Sequence, residues 1–118
     1  GTVQFSAPEA FMGYFSQSSD LFSIGVILYL LMTGKMPFAN DIYENEIHRR
    51  NSMPMGGSVF SSKTAELMEA ATIDWLCNPW PEQRLCRSFC KSLLTFDPLK
   101  RPASAEEALQ HAWFSSPA

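Results

Sequence analysis

Three cysteines are the residues of this chain best suited to metal binding or covalent chemistry. Cys86 and Cys90 are four positions apart and would share one face of a helix, and Cys77 lies nearby in the sequence. A closed zinc site needs four ligands, however, and the two histidines, His48 and His111, lie far away along the chain. Buried, reduced thiols are therefore the favoured interpretation, because a free cysteine commonly behaves as a small apolar residue, and no metal is expected.

A second chemical signal is a serine that follows two basic residues. The run Arg49-Arg50-Asn51-Ser52 places arginines two and three positions before Ser52, a pattern that is often phosphorylated. A phosphate there could pair with either guanidinium. Short patterns of this kind also occur by chance, so an unmodified, solvated segment is the favoured interpretation.

Asp20 is the acidic residue that most needs a partner. It stands at the start of residues 21–32, in which nearly every position is apolar. An isolated buried charge is very costly, so the carboxylate is expected to accept hydrogen bonds from another group. Capping of a helix by Asp20 is the simpler alternative, and both roles could hold together.

Residues 18–34, which must position Asp20, are predicted to form a central helix. Residues 18–20 offer side-chain oxygens that can cap its start, Gly34 can end it through a left-handed turn, and Pro37 prevents its continuation. Because nearly every position between these signals is apolar, we expect the helix to be buried on all sides. It is too short for a membrane span, which needs about 18 or more apolar residues.

Shorter helices are expected to pack around this central one. Caps, prolines and apolar spacing predict a helical turn over residues 8–12 and helices over 41–50, 62–76, 81–96 and 104–113, with 51–61 irregular. Ser61 or Ser62 is the candidate cap of the 62–76 helix, and Ser104 begins a capping box. The residues expected to face the core are Ile42, Ile47, Leu85, Phe89, Leu93, Phe96, Ala108, Leu109 and Trp113. No alternating strand run is present, so the fold class is mainly α.

Composition and charge narrow the choice of partners and compartment. The 118 residues are 46% hydrophobic and 13% aromatic, which indicates one packed domain rather than a disordered chain. A net charge of -3 without a basic stripe argues against nucleic-acid binding, and no membrane partner is expected. The chain opens without Met or a secretory leader, which suggests a fragment of a longer chain. An odd number of cysteines and no N-x-S/T acceptor favour an intracellular, cytoplasmic location.

Three segments, in this order, resemble the protein kinase family. Residues 1–9, G-T-V-Q-F-S-A-P-E, are similar to the end of a kinase activation segment, which closes with A-P-E. Residues 19–38, S-D-L-F-S-I-G-V-I-L-Y followed by Gly34 and P-F, are similar to the helix after it. Residues 94–114, with L-T-F-D-P-L-K-R-P and A-L-Q-H-A-W-F, are similar to the last two helices of the family, and are closest to calcium/calmodulin-dependent and calcium-dependent kinases. The resemblance covers nearly the whole chain and is weakest over 52–82.

The resemblance implies a fold and an activity. The fold would be the helical C-lobe portion of a protein-kinase-like domain, without the N-lobe and catalytic loop. Residues 1–17 would end the activation segment, 18–34 would be the central buried helix, and 35–118 would form peripheral helices. The full-length enzyme would transfer the γ-phosphate of ATP to protein Ser or Thr, using ATP and Mg²⁺. This segment alone contains none of the catalytic motifs and should bind neither.

The implied partners are of three kinds. A protein or peptide substrate and the remainder of the kinase domain are expected for any member of the family. A calcium-sensing regulatory domain is the third candidate, from the subgroup resemblance, and the predicted helix over 41–50 is the candidate docking element.

Four N-terminal residues match the substrate-contacting part of the family. Thr2 matches the threonine whose hydroxyl bonds to the catalytic aspartate and lysine, and it favours Ser/Thr specificity. Val3, Phe5 and Ser6 lie where such kinases shape the pocket for the substrate residue after the phosphoacceptor. Ordinary loop packing is the alternative for these residues.

Five further residues match structural positions that support catalysis. Glu9 matches the A-P-E glutamate, whose family partner corresponds to Arg101, and a buried pair of this kind would be bidentate. Asp20 matches the aspartate that holds the catalytic loop through its backbone N–H groups. Ile27 and Leu31 match the positions that support the adenine-side hydrophobic stack. The alternatives are two solvated charges for the pair and generic core packing for the two apolar residues.

The sequence departs from the family pattern at several positions. Phe22 stands where many relatives have Trp, Ser18 where many have Lys, and Ala112 where many have Pro. Leu30 stands where some basophilic kinases carry a substrate-reading Glu, which argues against a strong arginine preference through that position. A pseudokinase or kinase-fold scaffold that has lost its catalytic residues and acts by protein binding is the alternative function, because this segment contains none of those residues.

Two tryptophans in the divergent stretch have two interpretations. Trp75 and Trp80, with Pro81, could form a surface that docks a partner. Packing within the domain is the favoured interpretation, because large aromatic side chains are mostly buried.

Overall fold

The computed structural model describes residues 3–52 and 63–115, except for the side chains of Arg49, Arg50 and Ser52. Within these ranges the chain is helical and contains no strand, which confirms the mainly α fold class. The α-helices are α1 (Gln17–Thr33), α2 (Asp41–Ser52), α3 (Lys63–Ala70), α4 (Arg84–Leu93), α5 (Ala105–Ala108) and α6 (Ala112–Ser115). The 3₁₀ helices are Val3–Phe5, Pro8–Met12, Trp80–Glu82 and Pro98–Lys100.

Helix α1 begins and ends at local signals. Its N-cap is Ser16, whose backbone N–H donates a hydrogen bond of 3.2 Å to Ser19 Oγ. Asp20 lies in the first turn, so the cap lies two residues earlier than predicted and Asp20 is not the capping residue. Gly34 ends the helix as predicted, in a left-handed conformation with φ 75°, and its N–H donates to the Leu30 carbonyl at 2.8 Å.

The prediction that α1 is buried on all sides is wrong for this chain. The buried face carries Leu21, Phe22, Val26 and Tyr29. The opposite face carries Asp20, Ile24, Ile27 and Leu31, all exposed, and these positions recur at the spacing of a single helical face. Apolar side chains prefer burial, but they are buried only where another element packs on them. No element among the described residues packs over this second face.

Helix α4 crosses α1 where Gly25 removes a side chain. A Cβ placed on Gly25 would lie 2.8 Å from Leu93 Cβ and 3.0 Å from Leu94 Cδ2, closer than atoms in a packed interior approach. The Cys90 thiol also donates a hydrogen bond of 3.4 Å to the Gly25 carbonyl. The two helices therefore approach closely at Gly25, which joins α1 and α4 into one core.

The stretch from residue 71 to 83 is less helical than predicted. Helix α3 ends at Ala70 instead of continuing through Leu76, and α4 begins only at Arg84. Pro81 lies inside the 3₁₀ helix Trp80–Glu82 and does not start an α-helix. Within this stretch the Asp74 side chain accepts hydrogen bonds from the Leu76 and Cys77 N–H groups, at 2.9 and 3.1 Å, so local side-chain bonds replace those of a helix.

Several residues predicted to face the core do not. The buried face of α4 consists of Cys86, Phe89, Cys90 and Leu93, so Phe89 and Leu93 are placed as predicted. The residues that are exposed against the prediction are Ile47, Leu85, Phe96 and Leu109. In α4 the first buried residue is Cys86 instead of Leu85, and Cys90 is buried as well. Phe96 lies beyond the end of the helix.

Helix α2 turns a different face inward than predicted. Tyr43 and Glu46 are its buried residues, and Ile42 is half-buried. The helix extends to Ser52, so the prediction that residues 51 and 52 are irregular is wrong. Residues 53–61, and the predicted cap at residue 61 or 62, lie outside the described residues.

The C-terminal helices confirm one local signal. The Glu107 N–H donates a hydrogen bond of 3.1 Å to Ser104 Oγ, and the Glu107 carboxylate accepts one from the Ala103 N–H. These contacts form a capping arrangement at the start of α5, as the S-x-x-E spacing predicts. Ala108 is buried and Trp113 half-buried, but two short helices, α5 and α6, replace the single one predicted.

Candidate functional site

The centre of the candidate site is an ion pair between the first 3₁₀ turns and the turn after α4. Arg101 Nη1 donates to Glu9 Oε2 at 2.7 Å, and Arg101 Nη2 donates to Glu9 Oε1 at 2.8 Å. This is the bidentate pair predicted from the sequence, and the Arg101 side chain in it is fully buried. The two residues are 92 positions apart, so the pair joins the two ends of the chain.

Arg101 uses every N–H group of its guanidinium. Besides the two bonds to Glu9, Nε donates to the Thr95 carbonyl at 2.6 Å, Nη2 to the Phe96 carbonyl at 2.8 Å, and Nη1 to the Ser18 carbonyl at 3.1 Å. These five bonds account for all five guanidinium donors, which explains how a cation tolerates complete burial. No other side chain could replace this set of donors.

Two contacts around the pair were not predicted from the sequence. The Phe22 ring lies 4.8 Å from Arg101 Cζ and stacks on Phe38, so the apolar face of α1 covers the guanidinium. Ser19 Oγ donates a hydrogen bond of 2.7 Å to Glu9 Oε2. Polar residues at helix starts usually indicate capping, and the sequence holds no signal that would identify Glu9 as the acceptor.

The environment of Glu9 sets its protonation. Burial raises the pKa of its carboxyl, but hydrogen bonds from Arg101, Ser19 and its own backbone, together with the Arg101 charge, outweigh that effect. The net result is a pKa below its ordinary value of 4.5. Glu9 is therefore ionised at neutral pH, as the ion pair requires.

Acid should destabilise the fold through Glu9. Because its pKa is lower in the folded than in the unfolded chain, this contribution to stability is present above pH 4.5 and is lost as the pH falls through the folded-state pKa. Urea unfolding at steps from about pH 6 to about pH 3 measures the loss. We expect a shallower acid dependence in Glu9→Gln, which cannot titrate, and an unchanged one in the exposed control Glu106→Gln. Equal slopes in all three proteins would contradict this assignment.

The predicted substrate-contacting residues lie next to the ion pair in the sequence and begin the described chain. Val3 is buried and belongs to the 3₁₀ helix Val3–Phe5, whereas Phe5 and Ser6 are half-buried. The segment is held to α2, because the Tyr43 hydroxyl approaches the Gln4 carbonyl at 3.5 Å. Thr2 lies outside the described residues, so its predicted contacts stay a prediction.

Three predicted site residues share the exposed face of α1. Ile27 is 45% exposed and Leu31 76% exposed, and the Asp20 carboxylate accepts no hydrogen bond from the described residues. Exposed apolar surface of this kind is typical of faces that contact another element or molecule. All three side chains are exposed. Their predicted contacts, with a catalytic loop and a nucleotide-side stack, stay proposals.

Two of the three cysteines, Cys86 and Cys90, are buried thiols, whereas Cys77 is half-buried. Burial raises the pKa of Cys86, and burial together with the neighbouring Cys86 raises the pKa of Cys90 to about 12. Both are therefore neutral and poorly nucleophilic at physiological pH. In residues 3–52 and 63–115, no cluster of three histidine, cysteine or acidic residues could hold a metal ion.

The tryptophans of the divergent stretch pack inside the domain. Trp80 is fully buried, and its ring lies 5.6 Å from Tyr29 and 5.5 Å from Trp75. The Tyr29 hydroxyl donates a hydrogen bond of 2.5 Å to the Asp74 carbonyl, which ties the non-helical stretch to α1. The favoured interpretation of domain packing is confirmed for Trp80.

Among the described helices, none is both long and apolar enough to cross a membrane.

Comparison with known proteins gives one consistent family. A family model described as "Protein kinase domain" matches residues 1–114. Over 114 residues the chain is 33% identical to the calcium and calcium/calmodulin-dependent serine/threonine-protein kinase of Lotus japonicus. Over 118 residues it is 32% identical to the serine/threonine-protein kinase H1 homolog of Danio rerio. These matches cover 96% and 98% of this chain, but 18% and 24% of the two relatives.

A solved structure shares the fold. The twitchin kinase region from C. elegans superposes with a TM-score of 0.64 at 24% identity, over 98% of this chain and 17% of that chain. The likeness confirms a helical part of that fold. Since the chain spans about a quarter or less of each relative named, the activity of a whole protein does not follow from these matches alone.

Proposed function

Because this chain belongs to the protein kinase family, we propose that it is the C-terminal part of the large lobe of a Ser/Thr protein kinase. The complete enzyme would transfer the γ-phosphate of ATP to serine or threonine of a protein substrate. The observation that carries this proposal is the five-bonded Arg101 cation, which holds Glu9 of the A-P-E segment against the start of α1. That contact is what the family resemblance requires of these two residues.

In the proposed enzyme this segment positions groups and performs no bond-breaking step itself. The pair of Glu9 and Arg101 would hold the Pro8–Met12 turn that follows residues 3–6. Residues 3–6 would form the wall of the pocket that receives the substrate residue after the phosphoacceptor. Phosphoryl transfer depends on positioning and electrostatic stabilisation, so a fixed peptide wall contributes directly to rate. Thr2 would support the catalytic aspartate and lysine supplied by the rest of the domain.

The exposed face of α1 would complete the domain. Asp20 would accept backbone N–H bonds from the catalytic loop, and Ile27 and Leu31 would support the hydrophobic stack beside the adenine. Fully burying an exposed large apolar side chain contributes roughly 1.5–3 kcal/mol, so Leu31, at 76% exposed, would gain more than Ile27, at 45% exposed. When bound, ATP supplies the transferred phosphoryl group and Mg²⁺ offsets its negative charge. None of the described residues of this chain is proposed to contact either of them.

The test is a phosphoryl-transfer assay on the complete natural protein that carries this chain. With labelled ATP, Mg²⁺ and a mixed peptide substrate library, we expect label on serine and threonine and none on tyrosine. Transfer to tyrosine would contradict the proposed specificity. A protein that binds partners but transfers no phosphate would support the pseudokinase alternative instead.

Replacing Asp20 with asparagine should reduce the turnover number of the complete enzyme. Loss of the carboxylate would shift the catalytic loop, and a misplacement near 1 Å can cost roughly 10²-fold in rate. The matched control is Asp41→Asn, an exposed acid in the first turn of α2, which should leave turnover unchanged. Comparable turnover in Asp20→Asn and the parent enzyme would show that Asp20 does not hold the loop.

Regulation by calcium is a finer part of the same proposal. It is suggested by the names of relatives such as the calcium/calmodulin-dependent kinase of Malus domestica, which is 33% identical over 114 residues. A calcium-sensing domain would then be a partner of this lobe. Assays of the complete protein with calcium, with calcium plus calmodulin, and with a chelator distinguish this regulation from constitutive activity.

A further inference from the structure

A groove runs between helix α3 and the 3₁₀ helix Pro8–Met12. Two adjoining cavities of about 340 Å³ each form it, and they share Pro8, Glu69 and Phe96 in their walls. One cavity continues past Met12, and the other continues toward Trp75. The shared walls make the two cavities one elongated groove, open to solvent, rather than two separate pockets.

The floor of this groove is apolar and partly exposed. Met12 is 42% exposed and Phe96 is 37% exposed, although both are large apolar side chains. Exposed apolar surface with a polar rim is typical of sites that bind another molecule. The Glu9–Arg101 pair lies beside the floor and holds the Pro8–Met12 turn in place, so the groove is preformed.

The charged residues of the groove are all acidic. Glu66 and Glu69 project from α3 at a spacing of three residues, both are exposed, and neither carboxylate bonds to a described residue. Glu9 is neutralised by Arg101, and no lysine or arginine lines either cavity. At the other end, Arg87 Nη1 donates to the Trp75 carbonyl at 3.3 Å and Lys91 Nζ lies 5.8 Å from the Trp75 ring centroid. The negative potential is therefore concentrated at the Glu66 and Glu69 wall.

We propose that this groove binds a linear segment of a partner protein in which a lysine or arginine is flanked by apolar side chains. The apolar residues would lie on Met12 and Phe96, and the cation would lie against Glu66 and Glu69. An eight-residue α3 is about 12 Å long, which matches roughly four residues of extended peptide. The inference needs only this surface, so it does not depend on the catalytic role proposed above.

The test selects peptides without assuming a sequence. A phage library of random dodecapeptides is panned on the complete natural protein and, in parallel, on its Glu66→Lys/Glu69→Lys double variant. We expect the clones retained by the parent and lost by the variant to carry a lysine or arginine next to leucine, isoleucine or phenylalanine. Clones without this bias, or identical clones from both proteins, would overturn the proposal.

Binding of the selected peptide then tests the contacts one by one. In fluorescence anisotropy, the double reversal should weaken binding about tenfold, because exposed ion pairs contribute modestly and here become repulsive. Glu66→Gln/Glu69→Gln should weaken it less, and raising the salt should weaken binding to the parent. The matched control Glu106→Lys, an exposed acid on α5, should bind like the parent. An equal loss of peptide affinity in Glu106→Lys would show only a non-specific charge effect and would overturn the proposed site. Displacement of the peptide by a second copy of the chain would also overturn it.

Folding is controlled within the same set of variants. Exposed substitutions usually change stability by about 0.5 kcal/mol or less, so both glutamate variants should keep the far-ultraviolet circular dichroism and thermal midpoint of the parent. If the complete natural protein binds the selected peptide but transfers no phosphate, the proposed function alone is contradicted. Retained activity with no glutamate-dependent peptide would contradict this inference alone.

Discussion

Replacement of Arg101 by alanine is expected to lower the free energy of unfolding by about 3–5 kcal/mol. The change removes all five hydrogen bonds of the guanidinium and leaves Glu9 with an uncompensated, largely buried charge. It also removes the group beneath the Phe22 ring. Guanidinium chloride unfolding at neutral pH, followed by circular dichroism, measures the effect.

Three further variants test whether the effect of Arg101→Ala is specific to the ion pair. Glu9→Ala should destabilise by a similar amount, because it leaves the buried Arg101 cation with carbonyl partners only. Lys100→Ala, which removes the exposed neighbouring cation, should change stability by about 0.5 kcal/mol or less. The double replacement of Glu9 and Arg101 should cost less than the sum of the two single ones, since the pair is coupled. Parent-like unfolding of both single variants would contradict the importance given to the pair.

Replacement of Trp80 by alanine is expected to cost about 3–5 kcal/mol, as for other fully buried aromatic side chains. The change opens a cavity between Tyr29 and Trp75, whose rings now contact the indole. It also weakens the attachment of the stretch after α3 to the central helix, because the same tyrosine holds the Asp74 carbonyl. Denaturant unfolding of Trp80→Ala measures the loss.

An exposed aromatic residue provides the control for Trp80. Phe15 is 74% exposed, so Phe15→Ala removes a ring of similar kind without opening a cavity and should leave stability nearly unchanged. Trp80→Phe should lose less than Trp80→Ala, because part of the volume is kept. A partner-docking role for Trp80 would reverse this order of effects, with little change in stability and a loss of binding.

Local signals predicted the parts of the fold that depend on neighbouring residues. Gly34 ends α1 because a left-handed conformation favours glycine, and Ser104 caps α5 because its hydroxyl reaches the first turn. The pair of Glu9 and Arg101 was found through its family resemblance, since no local rule connects two residues so far apart.

The end of α3, the exposure of two apolar residues of α1 and the partner of Ser19 depend on tertiary packing, which the sequence does not show. Ala71 and Ile73 continue the apolar spacing of α3, yet they pack from a non-helical segment, so the predicted helix is too long. Ile27 and Leu31 are apolar, but periodicity cannot tell whether an element covers them. Ser19 could equally cap a helix or bond to Glu9, and only the position of the Pro8–Met12 turn decides.

The Glu9–Arg101 pair also imposes an order on biosynthesis. Glu9 leaves the ribosome 92 residues before its partner, and at about 5–20 residues per second this is an interval of roughly 5–20 s. During that time the A-P-E turn has no guanidinium to hold it, and the start of α1 lacks the cation that its carbonyls and Phe22 surround. The Pro8–Met12 turn can therefore be fixed by this pair only after Arg101 has been synthesised, so a late segment of this chain completes the packing of an early one.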